Sequence, residues 1–323
     1  MVDVLNSLKG EPEGVSNGDA VADAIVGELG YTQSYKRAFR TVGNVALSIG
    51  ISSPAAAIAV IASFQISYGG YWGLVWGWII PSCLLFPSCL ATAELASSMP
   101  VNGAYYWWSA ALAAPKYSRP VGFIAGWATI LTLLTGMASI AFATAATAAA
   151  SITLLNVRWN PANAELMGIA LAILILWTAL SEIGSSRLNT LLIICASLIA
   201  GTTLTFLIGL PTARVKSGMS FASASDVFAN YQNFSNWNES VAVAFTFFGA
   251  TWSISGWASP AFLVEETHNG HRTVAKSIII SFIAMAWIGA AVCLVIAFCI
   301  VDIAAAAADP TPILKGYYWT IKG

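Results

Sequence analysis

Val42-Gly-Asn-Val-Ala-Leu-Ser-Ile-Gly50-Ile-Ser-Ser-Pro54-Ala-Ala-Ala-Ile-Ala-Val-Ile-Ala-Ser-Phe-Gln-Ile66 is an uncharged, apolar stretch with a proline near its middle. A helix needs about 20 mostly apolar residues to cross a bilayer, so this one is long enough. Pro54 lacks a backbone N–H and frees a carbonyl one turn earlier. Gly50, Ser52 and Ser53 loosen the same turn. Hydrocarbon offers no water to satisfy a freed backbone group, which must be buried in protein or line a cavity. The stretch therefore reads as a membrane helix broken at mid-depth.

Working outward, six further apolar stretches follow near residues 71–97, 121–152, 164–181, 189–211, 240–262 and 275–302. Seven crossings result, numbered here as spans 1 to 7. Spans 3 and 7 have length to spare for tilt. The gap at 212–239 is the longest and most polar, with room for a short interfacial helix. Composition agrees: 58% of the 323 residues are hydrophobic and 9% charged, against about 25% charged in soluble domains. That excludes an ordinary soluble domain, and the apolar fraction excludes a disordered chain. A pI near 6.1 argues against a nucleic-acid partner. Barrel strands would show short alternating segments instead.

Five cysteines (Cys83, Cys89, Cys195, Cys293, Cys299) all fall in apolar runs, with no CxxC pair, so neither a disulfide framework nor a zinc site is expected. Residues 1–40 read as a cytoplasmic disordered tail without a cleavable signal, residues 41–305 as the transmembrane domain and 306–323 as a divergent tail. Lys36, Arg37 and Arg40 precede span 1; Lys116 and Arg119 follow span 2; Arg187 follows span 4; Arg272 and Lys276 follow span 6. The alternate gaps hold Arg158, Arg214 and Lys216. The positive-inside rule places the N-terminus in the cytoplasm. Two glycosylation sequons, Asn233-Phe-Ser235 and Asn238-Glu-Ser240, fall in the gap assigned to the outside. This orientation, and the lack of a lysine deep in span 7, count against receptors and retinal proteins. No GxSxG, HExxH, Walker A or dinucleotide fingerprint occurs in its expected context, so no enzyme is indicated. His268 and His271 stand without further ligands, and no metal is assigned.

Span 6 repeats the pattern of span 1. Phe248-Gly-Ala-Thr-Trp-Ser-Ile-Ser-Gly-Trp257, followed by Pro260, is rich in small and hydroxyl residues at mid-depth. One such break is most simply a packing device. Two breaks five spans apart point to a binding site between inverted repeats. The helix start around Ser52, Ser53, Pro54, Ala55 and Ala56 can hold a carboxylate on its free N–H groups. Carbonyls freed between Phe248 and Trp252 can take an ammonium. The candidate substrate residues are thus Gly50, Ser52, Ser53, Pro54, Ala55, Ala56, Phe248, Gly249, Thr251, Trp252, Ser255 and Trp257. Trp252 and Trp257 could supply cation–π contact or a gate, or simply face lipid or a neighbouring helix.

The segment Ala93-Glu94-Leu-Ala-Ser-Ser-Met-Pro100-Val-Asn-Gly103-Ala-Tyr105-Tyr-Trp107 resembles the signature of the amino acid–polyamine–organocation (APC) transporter superfamily. Gly122-Phe-Ile-Ala-Gly126-Trp127 and Val264-Glu265-Glu266-Thr267-His-Asn269 fit it too. Leu29-Gly-Tyr31, Trp76-Gly-Trp78 and Ser186-Arg-Leu-Asn189 resemble its fungal branch, which carries amino acids, 4-aminobutyrate, choline or polyamines. The resemblance implies an all-α, LeuT-like inverted-repeat fold. Spans 1, 2, 6 and 7 would form the moving bundle of a secondary active transporter working by alternating access. It also gives Glu94, Glu265 and Glu266, at the cytoplasmic ends of their spans, a role in gating or structure. No cofactor is implied; the coupling ion would be H+ or Na+. The partners expected are a small amino acid or amine and the lipid bilayer, with the plasma membrane favoured over the vacuolar membrane.

Departures sharpen these expectations. Trp257-Ala-Ser-Pro-Ala-Phe262 lacks the acid some relatives carry in span 6, and span 5 lacks a lysine. The site is then nearly uncharged, which favours zwitterions held by backbone over bare cations. A five-plus-five fold needs ten spans and the sequence runs out after span 7, so a C-terminally truncated product is expected. The alternative function is a membrane protein that does not transport: a sensor, a partner subunit or an inactive fragment.

Overall fold

The computed structural model describes residues 17–28, 30, 34–155, 161–300 and 302–308. Among them the chain is helical, with no strand beyond one isolated bridge between Phe39 and Thr267. A short helix α1 (Asn17–Glu28) comes first. Span 1 begins as α2 (Thr41–Ser52) and continues in α3 (Pro54–Ser98). Helix α4 (Ala104–Leu112) follows, then α5 (Ser118–Leu155), α6 (Asn163–Ser181) and α7 (Ser185–Lys216) for spans 3 to 5. Helix α8 (Ala224–Ala229) lies in the long polar gap. Span 6 is α9 (Glu239–Ile254) plus a 3-10 segment (Ser255–Glu266), span 7 is α10 (Gly270–Cys299), and α11 is Ile303–Ala308. The protein is an all-α polytopic membrane protein.

Among the described residues six helical stretches are long and apolar enough to cross a membrane, the longest being Thr41–Ser98. That stretch holds two crossings, because the chain reverses inside it at Gly70 (φ 59°, ψ −139°). In a straight helix residues 65 and 77 would stand about 18 Å apart. Here a Cβ on Gly77 would lie 3.5 Å from the Gln65 amide nitrogen. A positive φ with this ψ is open essentially to glycine alone. Spans 1 and 2 thus form a hairpin closed by a single residue.

Spans 1, 2, 6 and 7 pack around one core. Trp78 of span 2 is buried, its indole N–H donating to Ala286 O of span 7 at 3.0 Å. Its ring lies so close to Gly289 that any Cβ there would overlap it. Spans 3 to 5 differ: none of the most apolar window of α5 is buried, and 6% of that of α6, against 50% in span 6.

Residues 17–28 depart from the disordered tail expected over 1–40. They form a helix that buries Ala22 and Val26 and docks through Asp19 onto the loop between spans 6 and 7. That long-range contact, rather than local apolar content, is what the composition could not show. Residues 1–16, Leu29, Tyr31, Arg158 and 309–323 lie outside the described residues. Of the expected divergent tail, residues 306–308 belong to α11, where Ala307 O accepts a hydrogen bond from Ser67 Oγ at 3.3 Å.

Candidate functional site

The break in span 1 is one residue wide. Ser53 adopts the left-handed conformation (φ 34°, ψ 68°) between α2 and α3. Its N–H donates to Ile49 O at 2.7 Å, and its carbonyl accepts from Ala57 N–H at 2.9 Å. Pro54 has no N–H to give Gly50 O. The first N–H groups of a helix have no intrahelical acceptor, which here leaves those of Ala55 and Ala56. The αL conformation costs a non-glycine residue about 1–2 kcal/mol, so surrounding contacts must hold Ser53 in place.

The break in span 6 falls at the end of the Phe248–Trp257 pattern, beyond the carbonyls expected to be freed. Phe248, Gly249, Thr251 and Trp252 are all within regular α9, and the helix tightens to 3-10 only at Ser255. The 3-10 segment holds Pro260 and is itself interrupted at Leu263 (φ −120°, ψ 19°), so it is two short runs of a helix whose hydrogen bonds are poorer than those of an α-helix. Carbonyls named as freed are partly taken. Thr251 Oγ1 donates to Phe248 O at 2.9 Å, and Ser255 Oγ to Trp252 O at 2.7 Å.

The two breaks meet. Gly256, the second residue of the 3-10 segment, packs on Ile51 and Ser52 so closely that a side chain would overlap the Ser52 hydroxyl. Ser52, Pro54, Gly249 and Trp257 are buried, while Ala56, Phe248, Thr251 and Ser255 are exposed. Gly50, Ser53, Ala55 and Trp252 lie between these extremes. Gly249 packs against Ile61 and Gln65. Trp257 sits edge-on to Phe282 of span 7 with ring centroids 5.9 Å apart, so it faces a helix rather than the break.

Sequence reasoning missed a set of buried polar side chains on spans 1, 6 and 7. Ser52 Oγ, both amide atoms of Gln65, Ser253 Oγ and Ser281 Oγ are buried without a hydrogen-bond partner among the described residues. Each such group carries a desolvation cost of about 1–3 kcal/mol. The available signal was a lone glutamine in an otherwise apolar run at Gln65.

Two of the three acidic residues, Glu265 and Glu266, take part in hydrogen bonds between segments. Asn102 N–H donates to Glu265 Oε1 at 2.8 Å, and Glu265 N–H donates to Asn102 Oδ1 at 3.0 Å. This reciprocal pair ties the loop after span 2 to the end of span 6. Glu266 acts through its backbone, its carbonyl accepting from Ala38 and Phe39 N–H at 2.8 and 3.0 Å. Thr267 Oγ1 accepts from buried Asn44 Nδ2 at 3.2 Å. Glu94 is exposed. Among the described residues no cluster of His, Cys, Asp or Glu is arranged to hold a metal.

The sequence model of the amino acid permease family matches residues 34–315, taking in both broken helices and the acidic loop. The chain belongs to the amino acid permease family. Among its relatives, an uncharacterized amino-acid permease of Schizosaccharomyces pombe is 29% identical over 85% of this chain and 50% of its own length. A GABA-specific permease of Saccharomyces cerevisiae is 29% identical over 82% of this chain and 46% of its own. An amino-acid permease of Arabidopsis thaliana is 34% identical, over 36% of this chain and 23% of its own. The chain thus spans about half the length of the first two permeases. No solved structure matches it significantly. Family membership points to a transporter rather than an enzyme.

Proposed function

We propose that the chain carries the substrate-binding bundle of a secondary active transporter of amino acids or related small amines. The observation that supports this best is the contact between the two breaks, where Gly256 rests on Ser52. A free carboxylate is taken by the N–H groups of Ala55 and Ala56, at the positive end of a long helix. The substrate amine is taken by carbonyls that the tightened helix beyond Ile254 no longer engages in regular α fashion, not by those of Phe248 and Trp252. Thr251 and Ser255 line the open side. With no charged side chain at the break, recognition rests on backbone dipoles, which suits a zwitterion such as an amino acid or 4-aminobutyrate better than choline or a polyamine. Alternating access then amounts to movement of α2 about Ser53 and of the 3-10 segment about Ser255. The membrane proposed is the plasma membrane, with the N-terminus in the cytoplasm.

The test is uptake of labelled amino acids, 4-aminobutyrate, choline and polyamine by the 323-residue chain in proteoliposomes, under imposed H+ or Na+ gradients. Saturable uptake of one zwitterion, lost in Gly256→Leu, is the expected result. A second reading, a membrane protein that does not transport and serves as sensor or partner subunit, is favoured by the exposure of Ala56, Phe248, Thr251 and Ser255. Saturable binding of a zwitterion without uptake would select it.

A further inference from the structure

Helix α1 makes contacts that nothing in the substrate site requires. Asp19 is buried. Its Oδ1 accepts the backbone N–H of Asn269 at 2.6 Å, and its Oδ2 lies 3.0 Å from His268 Nδ1. Asn269 is the residue just before α10, it stands at φ 52°, and its own side chain makes no cap bond. Asp19 therefore caps span 7 from another part of the chain, placing a carboxylate at the positive end of a 30-residue helix. The fit is close: a Cβ on Gly18 would lie 2.6 Å from Asn269 Cγ. Arg37 completes the grip, pairing with Asp23 and standing 3.8 Å from Asp19.

The same loop is also held by span 1. Ala38 and Phe39 bond to Glu266 O, His268 N–H donates to Phe39 O at 2.9 Å, and Asn44 bonds to Thr267. Helix α2 is 12 residues long, about 18 Å, and is pivoted at its far end by Ser53. Its near end cannot leave the 3-10 segment without releasing residues 266–268. Helix α1 grips that loop at residues 268 and 269, overlapping the span 1 contacts at 268, and Arg37 joins α1 to the residues that lead into α2.

We propose that α1 is a strap that holds the inner half of span 1 shut against the loop between spans 6 and 7, with Asp19 as its fastening. Unfastening Asp19 frees α2 to swing about Ser53 and opens the cytoplasmic side of the bundle. This rests on the transporter reading but is read out separately from uptake.

Ser48 lies on α2 and is fully buried, so Ser48→Cys reports the gate. Inside-out vesicles carrying the full chain with S48C are exposed to a membrane-impermeant maleimide, with the native cysteines of the parent chain as background. Adding D19A raises the labelling rate about tenfold, as expected for the loss of charge-assisted bonds. Adding R37Q, which frees the other side of the strap, raises it in the same direction and serves if D19A does not fold. Further adding G18C and N269C to the opened variant and oxidising them returns the rate to that of the S48C parent, and dithiothreitol restores it. Unchanged labelling in a folded D19A or R37Q variant overturns the strap. Expected labelling without any uptake counts against the transport reading alone.

Discussion

Spans 1, 2, 6 and 7 and spans 3 to 5 are about equally apolar, and in both groups most hydroxyls bond a carbonyl one turn back, as Ser48, Ser82, Thr92, Thr251 and Ser277 do in the bundle; they differ in the hydroxyls that are left over. On α5, Thr129, Thr132, Thr144, Thr147, Ser151 and Thr153 each donate to the carbonyl one turn back, and Thr135 does so at 2.7 Å. Thr178 on α6 and Ser197 on α7 follow suit. A hydroxyl satisfied by its own helix can face lipid at little cost. In the bundle, Ser52, Gln65, Ser253 and Ser281 are buried with polar atoms unpaired. Hydropathy does not separate the two groups of helices; among the described residues, buried hydroxyls left unpaired do.

Four substitutions test this contrast. The largest effect belongs to Gly289→Val, which drives two methyl groups into the buried ring of Trp78. It is expected to cost at least 3 kcal/mol, at the upper end of the ~1–3 kcal/mol typical of overpacking, or to block folding, as read by thermal unfolding in detergent. Arg214→Met comes next. The Arg214 guanidinium donates to Ser220 O and, at 2.5 Å, to Cys299 O, so it ties the end of span 5 to the last turn of span 7. Its loss should cost about 2–3 kcal/mol, visible in the same melts. Gln65→Met keeps the volume and removes two unpaired polar atoms. Stability should rise by about 1 kcal/mol, and a fall would show that Gln65 has a partner in the resting protein. Thr135→Val on exposed α5 should change stability by less than about 0.5 kcal/mol. A loss above about 1 kcal/mol there would erase the distinction between the two groups of helices.

The location of each span was legible because a crossing needs a long apolar run, and the helices run close to 121–152, 164–181, 189–211 and 275–302 as read. The break at Ser53 was legible too, because proline removes a particular hydrogen bond. The break in span 6 was not, to within a turn. Gly249 and Thr251 weaken a helix without ending it, and what keeps Gly249 helical is packing against Ile61 and Gln65. Helix α1 was invisible because its apolar content is small and its order comes from Asp19 meeting Asn269 some 250 positions away. The contact between Ser52 and Gly256 likewise lies between distant residues, and a single sequence carries no local sign of it.

The reversal at Gly70 bears on how this protein is made. A one-residue turn leaves no loop between spans 1 and 2, so no polar segment waits to be carried across after span 1 has settled. The two helices must enter the bilayer together, as one preformed hairpin. Lengthening the turn with a few polar residues would split that event into two and leave the finished fold to be assembled from separate helices.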